Sequence, residues 1–219
     1  MRAPRIARLA LLGLLPATGW CAAPEIAALL QHLARPAPAS TPFVEAHFSR
    51  LLARPLVVAG RLEYLGPDAL ARTVEKPYHE RTEIHGEAVT VEREGERPRH
   101  FSLGHAPELR SLLASFAALL SGDAAGLRRE FDFAVAGDEA AWTLTLTPRD
   151  AHVRQRVLGI VVAGAQDEPR CLTTRQPNDN TTVLLMSEAA QVALPEKLDR
   201  AWLDARCGGP AVPAPAAPG

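Results

Sequence analysis

The sequence predicts a mainly β fold with a few helices (α+β), built on a curved antiparallel sheet that forms an incomplete β-barrel under a helical lid. Three observations predict it. From Thr41 onward, short stretches alternate apolar and polar residues, which is the period of strands with one apolar face. Turn pairs such as Gly66-Pro67 and Lys76-Pro77 separate these stretches. Only a few segments carry the helical spacing needed to cover the apolar face.

The first segment, Met1 to Ala23, has the layout of a secretory signal peptide. Basic residues open it, the apolar stretch from Leu9 to Leu15 follows, and small residues come after that stretch. The apolar part is far shorter than the roughly 20 residues that span a bilayer. We therefore expect export to the periplasm as a soluble protein. Cys21 leaves open an alternative, a lipid-modified exported protein, although Trp20 does not match the small residue that precedes a lipidated cysteine.

The charge balance argues against a nucleic-acid partner. The 219 residues fit one domain and carry a net charge of -1. Removing the signal segment takes three arginines and no acids, which leaves 21 bases against 25 acids, or about -4. Nucleic-acid binding needs a clustered basic surface, which this composition does not indicate.

The first half of the mature chain begins with one predicted helix, and a series of predicted strands follows it. Helical spacing predicts a helix from Pro24 to Leu33, and the strands begin near Pro42. The strands expected after the first are Leu56 to Leu65, Asp68 to Glu75, Tyr78 to Ile84, Ala88 to Arg93 and Arg99 to Leu103. In the strand from Leu56 to Leu65, Val58, Leu62 and Tyr64 share one face.

A helical segment interrupts the strands at the middle of the chain. Pro107 opens it, because proline is tolerated in the first turn of a helix. Apolar residues then recur at helical spacing along one stripe. The stripe consists of Leu109, Leu112, Leu113, Phe116 and Leu120. Ser121-Gly122 ends the helix, and Asp123 is expected to cap one further turn.

Strands return in the second half of the chain. Two strands are expected over Glu130 to Ala136 and Ala140 to Pro148, and together they are predicted to form a hairpin. Phe133 lies on the apolar face of the first strand, and Leu144 and Leu146 lie on the apolar face of the second. The remaining predicted elements are strands over Val157 to Ala163, Arg170 to Thr174 and Thr181 to Met186, and a closing helix over Leu194 to Ala205.

Two cysteines remain after the signal, and the chain ends in a biased tail. In an oxidising compartment Cys171 and Cys207 can pair, which would tie the closing helix to the sheet. Residues 207–219 are rich in proline and alanine and too poor in apolar bulk to fold, so a disordered tail is expected. The predicted folded domain spans residues 24–206.

Scattered motifs in this order resemble the LolA-type periplasmic lipoprotein carriers. They are F-x-E-x-x-F (Phe43, Glu45, Phe48), G-x-L (Gly60, Leu62), P-x-x-L-x-R (Pro67, Leu70, Arg72), Pro77 and Gly86. The resemblance implies an incomplete β-barrel whose hydrophobic cavity receives acyl chains under a helical lid. It also implies an inner-membrane donor and an outer-membrane acceptor. Arg72 matches the family's arginine that latches the lid to the barrel, and the chain looks closer to the branch that accompanies aryl-polyene or xanthomonadin-type pigment synthesis.

The resulting hypothesis is a periplasmic carrier or chaperone, monomeric and non-enzymatic, for an acylated lipid, lipoprotein or polyene cargo. Its alternatives are an envelope sensor or receptor module with the same fold, a LolB-like lipoprotein if Cys21 is lipidated, and an acyl hydrolase. No nucleophile elbow, cofactor motif or metal-ligand spacing is present in the sequence. The residues expected to line the cavity and lid are Val58, Leu62, Tyr64, Leu109, Leu112, Leu113, Phe116, Leu120, Phe133, Leu144 and Leu146.

Overall fold

A computed structural model describes residues 25–105, 110, 113 and 117–208 of the chain. The predicted signal peptide, with Cys21, lies outside the described residues, as does nearly all of the predicted tail. Of the predicted helix from Pro107 to Leu120, residues 110, 113 and 117–120 are described and are helical. Leu109, Leu112 and Phe116 lie outside the described part of the chain.

One antiparallel sheet of eleven strands organises the described residues, which confirms the predicted α+β class. Its order is β6-β5-β4-β3-β2-β1-β11-β10-β9-β8-β7, so the first strand, β1, pairs with the last, β11. Within the described residues β6 and β7 are unpaired edges, so the sheet is open rather than a closed barrel. The strands are β1 (Ala39–Phe48), β2 (Leu56–Gly66), β3 (Ala69–Lys76), β4 (Glu80–His85), β5 (Ala88–Arg93), β6 (Arg99–Ser102), β7 (Phe131–Gly137), β8 (Trp142–Pro148), β9 (Gly159–Ala165), β10 (Glu168–Arg175) and β11 (Thr181–Met186).

Helices pack on both faces of the sheet. Besides the helical residues 110, 113 and 117–121, the described part of the chain has the α-helices α1 (Ile26–Leu33), α2 (Ala124–Glu130), α3 (Ala151–Arg154) and α4 (Arg200–Cys207), with 3-10 turns at Leu103–His105 and Ser187–Gln191. The Asp123 cap is confirmed, because its side chain accepts the N–H of Gly126. The predicted closing helix begins later than Leu194, at Arg200, since Asp199 caps it by accepting the N–H of Trp202.

The short helix α3 was not predicted, because four residues are too few to show a helical period. Asp150 starts it by accepting the backbone N–H groups of Val153 and His152. These hydrogen bonds favour the ionised carboxylate and hold the pKa of Asp150 below its usual range.

Strand alternation gives the sheet two apolar faces. The inner face, which carries Phe43, Val58 and Leu144, packs against α1. From α1 this core takes Ile26, Leu29, Leu30 and Leu33, all nearly inaccessible to solvent. Ala118, Leu119 and Leu127 close the same core further along the helical segment.

The outer face, which carries Val44, Val183 and Leu185, packs against the C-terminal segment. Leu203 of α4 is completely buried there, and Cys171 of β10 is joined to Cys207 at the end of α4. The Cα atoms of the two cysteines lie 5.3 Å apart. The disulfide therefore fixes the last helix to the back of the sheet.

Removing this disulfide should destabilise the fold without changing its topology. The bond closes a loop of 36 residues, for which the loss of constraint on the unfolded chain amounts to about 2–4 kcal/mol. We expect the double variant Cys171→Ala/Cys207→Ala to lose that much free energy of unfolding in urea titrations. Reductant should lower the unfolding free energy of the wild type to that of the double variant, and it should leave the unfolding free energy of the double variant unchanged. An unfolding free energy equal to that of the oxidised wild type would contradict the tether.

Candidate functional site

A cavity of about 680 Å³ lies on the inner face of the sheet. Its floor is formed by β1 to β6 together with β9, β10 and β11, and its roof includes Leu113, Leu119 and Leu120 of the helical segment. In the described residues, α1 together with Ala118, Leu119 and Leu127 forms one closed core with the inner face of β7 to β10. Over β2 to β5 the same face lines the cavity.

Most of the floor is aliphatic, and the strand register explains why. Leu62 pairs with Arg72 and Tyr64 with Leu70, so alternate residues of β2 and β3 point to the same side. The next strands continue the pattern, since Leu70 lies opposite Ile84. The apolar lining consists of Leu33, Leu56, Val58, Leu62, Tyr64, Leu70, Tyr78, Ile84, Val91, Phe101, Leu113, Leu119, Leu120, Val162, Leu172, Leu184 and Met186.

The structure distributes the residues that the sequence predicted for the lining among three places. Val58, Leu62, Tyr64, Leu113 and Leu120 line the cavity. Those outside the described residues are Leu109, Leu112 and Phe116.

Phe133, Leu144 and Leu146 lie away from the cavity instead. Leu144 and Leu146 are fully buried in the closed core, and Phe133 is partly buried against it. They share the inner face with Val58, but they belong to the end of the sheet that the helices cover.

Several lining residues were missed from the sequence, among them Leu70 and Ile84. Each lies in a predicted strand, and alternation alone would assign a face within that strand. The missing information was the pairing between strands, which decides that these faces coincide with that of Leu62.

A short polar row crosses the otherwise apolar floor. The Arg72 guanidinium donates to Glu45 Oε1 at 3.2 Å and lies 4.8 Å from the centroid of the Phe43 ring. Both charged side chains are more than a quarter exposed. Next to them, His47 Nδ1 and Thr182 Oγ1 are 3.0 Å apart. Among the described residues the ionic partner of Arg72 is thus a residue of β1, not a residue of the lid.

Gly60 lets the backbone of β2 and β3 approach closely beneath this row. A Cβ atom on Gly60 would collide with the carbonyl oxygen of Thr73. The register between β2 and β3 shifts at the same place, between Ala59 and Gly60. The residue opposite Gly60 on β1 is Phe43, over which Arg72 lies. The floor of the cavity therefore needs glycine at this position.

The outer face of the same strands is charged, as the sequence pattern indicated for Glu63. Arg81 donates to Glu63 Oε2 at 2.6 Å and to Glu83 Oε1 at 2.6 Å. These hydrogen bonds, that with Glu63 foremost, raise the pKa of Arg81 above its usual value. The guanidinium is charged at any working pH, so its role here is to hold β2 to β4 in register on the solvent side.

The described residues show no arrangement for metal chemistry and no membrane span. In the described part of the chain, no group of three or more histidine, cysteine, aspartate or glutamate side chains is close enough together to hold a metal ion. None of the helices in those same residues is long and apolar enough to cross a membrane. What the site offers chemically is a mainly aliphatic space with one ion pair in its wall.

A family model described as "Outer membrane lipoprotein carrier protein LolA-like" matches residues 19–207. The chain belongs to this LolA-like family. The predicted family is therefore confirmed, and it is a family of carrier or binding proteins rather than enzymes. No curated protein matches the sequence of the chain.

Several solved structures are similar to this LolA-like chain at low sequence identity. A LolA superfamily protein from Nitrosomonas europaea is 12% identical, with 78% of this chain and 94% of that one covered and a TM-score of 0.44. A complex of MucA and MucB from Pseudomonas aeruginosa gives 14% identity, 85% and 64% coverage and a TM-score of 0.39. LprF from Mycobacterium bovis gives 11% identity, 80% and 99% coverage and a TM-score of 0.34.

Adding one methyl group at Gly60 should distort the floor of the cavity. The Gly60→Ala variant must displace backbone of β3, and overpacking of this kind costs about 1–3 kcal/mol of unfolding free energy. The matched control is Gly104→Ala, whose Cβ would meet only the Ser102 hydroxyl at 3.4 Å; it should change stability by less than about 0.5 kcal/mol. Urea titrations of both variants provide the measurement. Equal stability of the two would refute the close approach.

Proposed function

We propose that this LolA-like protein is a periplasmic carrier or chaperone. It binds the acyl or polyene part of a lipid or lipoprotein in the cavity and carries it toward the outer membrane. The supporting observation is the cavity itself, aliphatic over most of its lining and about 680 Å³ in volume. Sites for small ligands have volumes of about 300–1,000 Å³ and a mainly apolar lining.

Burial of a hydrocarbon chain supplies an affinity that suits a carrier. Each methylene group removed from water contributes about 0.8 kcal/mol, so a chain of about 12 carbons gains roughly 10 kcal/mol. Association itself costs about 4–15 kcal/mol. The net binding is therefore moderate, and cargo passes on when an acceptor offers a comparable apolar surface.

The compartment and partners belong to the same proposal. The signal-peptide pattern of Met1 to Ala23 supports export, and LolA-like proteins are periplasmic or envelope-associated. The donor would lie in the inner membrane and the acceptor in the outer membrane. A cargo with a polyene chain suits the cavity as well as a saturated one, because both are long, thin and apolar.

Cargo binding should depend on the inner face of β2 and not on its outer face. Leu62 lines the cavity, whereas Leu65 of the same strand lies outside it and is 36% exposed. We expect Leu62→Glu to abolish binding of a fluorescent fatty acid, because the carboxylate would be buried among aliphatic groups. Leu65→Glu, the same substitution on the same strand, should bind the probe as the wild type does.

Native mass spectrometry of the protein purified from its own periplasm then identifies the cargo class. An additional mass of acyl or polyene composition, present in Leu65→Glu and lost in Leu62→Glu, is the expected result. A bare protein mass together with no binding of the fatty-acid probe would refute the carrier. A protein that instead co-purified in a stoichiometric complex would indicate the sensor or receptor module.

Arg72 supports a second expectation, the lid latch implied by the family resemblance. A charged hydrogen bond to the lid is worth about 1.5–3 kcal/mol, so Arg72→Leu should ease opening and raise the apparent affinity for the fatty-acid probe by about 10- to 100-fold. Glu45→Gln removes only the charge of the described partner of Arg72 and should leave that affinity nearly unchanged. If the affinity for the probe increased equally in the two variants, Arg72 would act only through its ion pair with Glu45. That result would contradict a latch between Arg72 and the lid.

A further inference from the structure

The two ends of the sheet carry opposite charge. In an antiparallel sheet, successive connections lie alternately at one end of the strands and at the other. The charge of each end can therefore be counted from the residues of its connections. The connections after β2, β4, β7 and β9 contain five acids and no base, and they lie at residues 67–68, 86–87, 138–141 and 166–167. Those at the other end contain six arginines and four acids, and they lie at residues 49–55, 77–79, 94–98, 149–158 and 176–180. We name the latter the basic end.

Exposed leucines concentrate at the same basic end. Leu51 is 94% exposed, Leu52 is 43% exposed and Leu56 is 53% exposed. All three belong to the connection from β1 to β2 or to the first residue after it. Leu158, 49% exposed, lies in another connection at this end. Single exposed leucines are ordinary on protein surfaces, but a cluster on one projecting loop indicates a contact surface.

The β1–β2 connection, residues 49–55, holds these leucines outward in a defined turn. We name it the leucine tip. The N–H of Leu52 donates to the Ser49 carbonyl at 3.1 Å, and the N–H of Leu51 donates to the Ser49 hydroxyl at 3.3 Å. Arg50 forms an ion pair with Asp179 of the neighbouring β10–β11 connection. These contacts anchor the tip to the sheet while the leucine side chains remain in solvent.

The leucine tip adjoins the cavity. Leu56, the first residue of β2, is half exposed and at the same time lines the cavity. Its partner on β1, His47, also lines it. The exposed tip therefore meets the wall of the cavity at Leu56.

We propose that the basic end is a docking surface for an anionic phospholipid bilayer, with the leucine tip inserted at the level of the headgroups. Leucines that enter the interface gain from burial, and arginines beside them meet lipid phosphates. Arg50 and Arg54 flank Leu51 and Leu52 directly, which is the arrangement that such an interface requires. The opposite end of the sheet, whose connections contain five acids and no base, is repelled by the same membrane. The protein therefore binds with the leucine tip toward the bilayer.

Charge also argues against a symmetric pair of molecules joined at this end. Two basic ends would bring arginines face to face, and like charges across an interface oppose association. The bilayer is complementary in both charge and apolar character. The inference concerns docking alone, and it does not require the cargo to be a lipoprotein.

Vesicle flotation of the mature protein tests the proposal. We expect binding to vesicles of phosphatidylethanolamine with phosphatidylglycerol, weakening with salt, and little binding to phosphatidylcholine alone. Leu51→Ser/Leu52→Ser should lower binding to the anionic vesicles about tenfold. Arg50→Ser/Arg54→Ser should lower it about fivefold per arginine. The control Leu65→Ser, an exposed leucine outside the basic end, should bind as the wild type does.

Two further measurements separate this proposal from its rivals. The tip variants should keep their urea unfolding midpoint and their affinity for the fluorescent fatty acid, so a docking failure is distinct from a failure of cargo binding. Vesicle binding that is unchanged in both tip variants, or equal on neutral and anionic vesicles, would overturn the proposal. Concentration-dependent self-association of the wild type that the leucine variant loses would identify a second copy as the occupant instead.

Discussion

The structure depends on one constraint, that an open sheet with apolar residues on both faces must be covered on both. On the outer face this is done by the last part of the chain, held by the disulfide to Cys171. On the inner face it is done by α1 and by the helical segment between β6 and β7. Next to the core that the described helical residues cover, the same face lines the cavity.

The composition of the inner face agrees with this division. Where the helices cover it, the strands present large apolar groups such as Trp142, whose indole N–H donates to the Gln166 carbonyl at 2.9 Å. Where they do not, the strands intersperse Arg72 and Thr82 among leucines. A partly exposed ion pair such as Arg72 with Glu45 costs little free energy to keep, because water still reaches both groups. Buried in the closed core, the same pair would carry a large desolvation cost.

Local patterns were sufficient for the strands and insufficient for their environment. Alternation placed Val58, Leu62 and Tyr64 on one face of their strand, and turn pairs such as Gly66-Pro67 separated the strands. The alternation within one strand does not show which part of a sheet face the helices reach. That depends on the order of the strands in the sheet, in which β1 pairs with β11 from the far end of the sequence. Leu144 therefore shares a face with Val58 but lies in the closed core.

Thr143 shows the same limit on the outer face. Alternation along β8 assigns Thr143 to the polar side of the strand, yet only 2% of this residue is accessible to solvent. It pairs with Ala163, a residue of the outer core that the C-terminal segment covers. The late start of α4 has a local cause, because the Asp199 side chain caps the helix directly before Arg200. A polar residue identifies a solvent face only when nothing further along the chain returns to pack on it.

One hairpin joins the two surfaces to which function is assigned. The strands β1 and β2 supply Glu45, Val58 and Leu62 to the cavity, and their connection is the leucine tip. Nine residue pairs set the register of these two strands. The leucine tip is therefore joined to the cavity floor by paired backbone rather than by an unpaired linker.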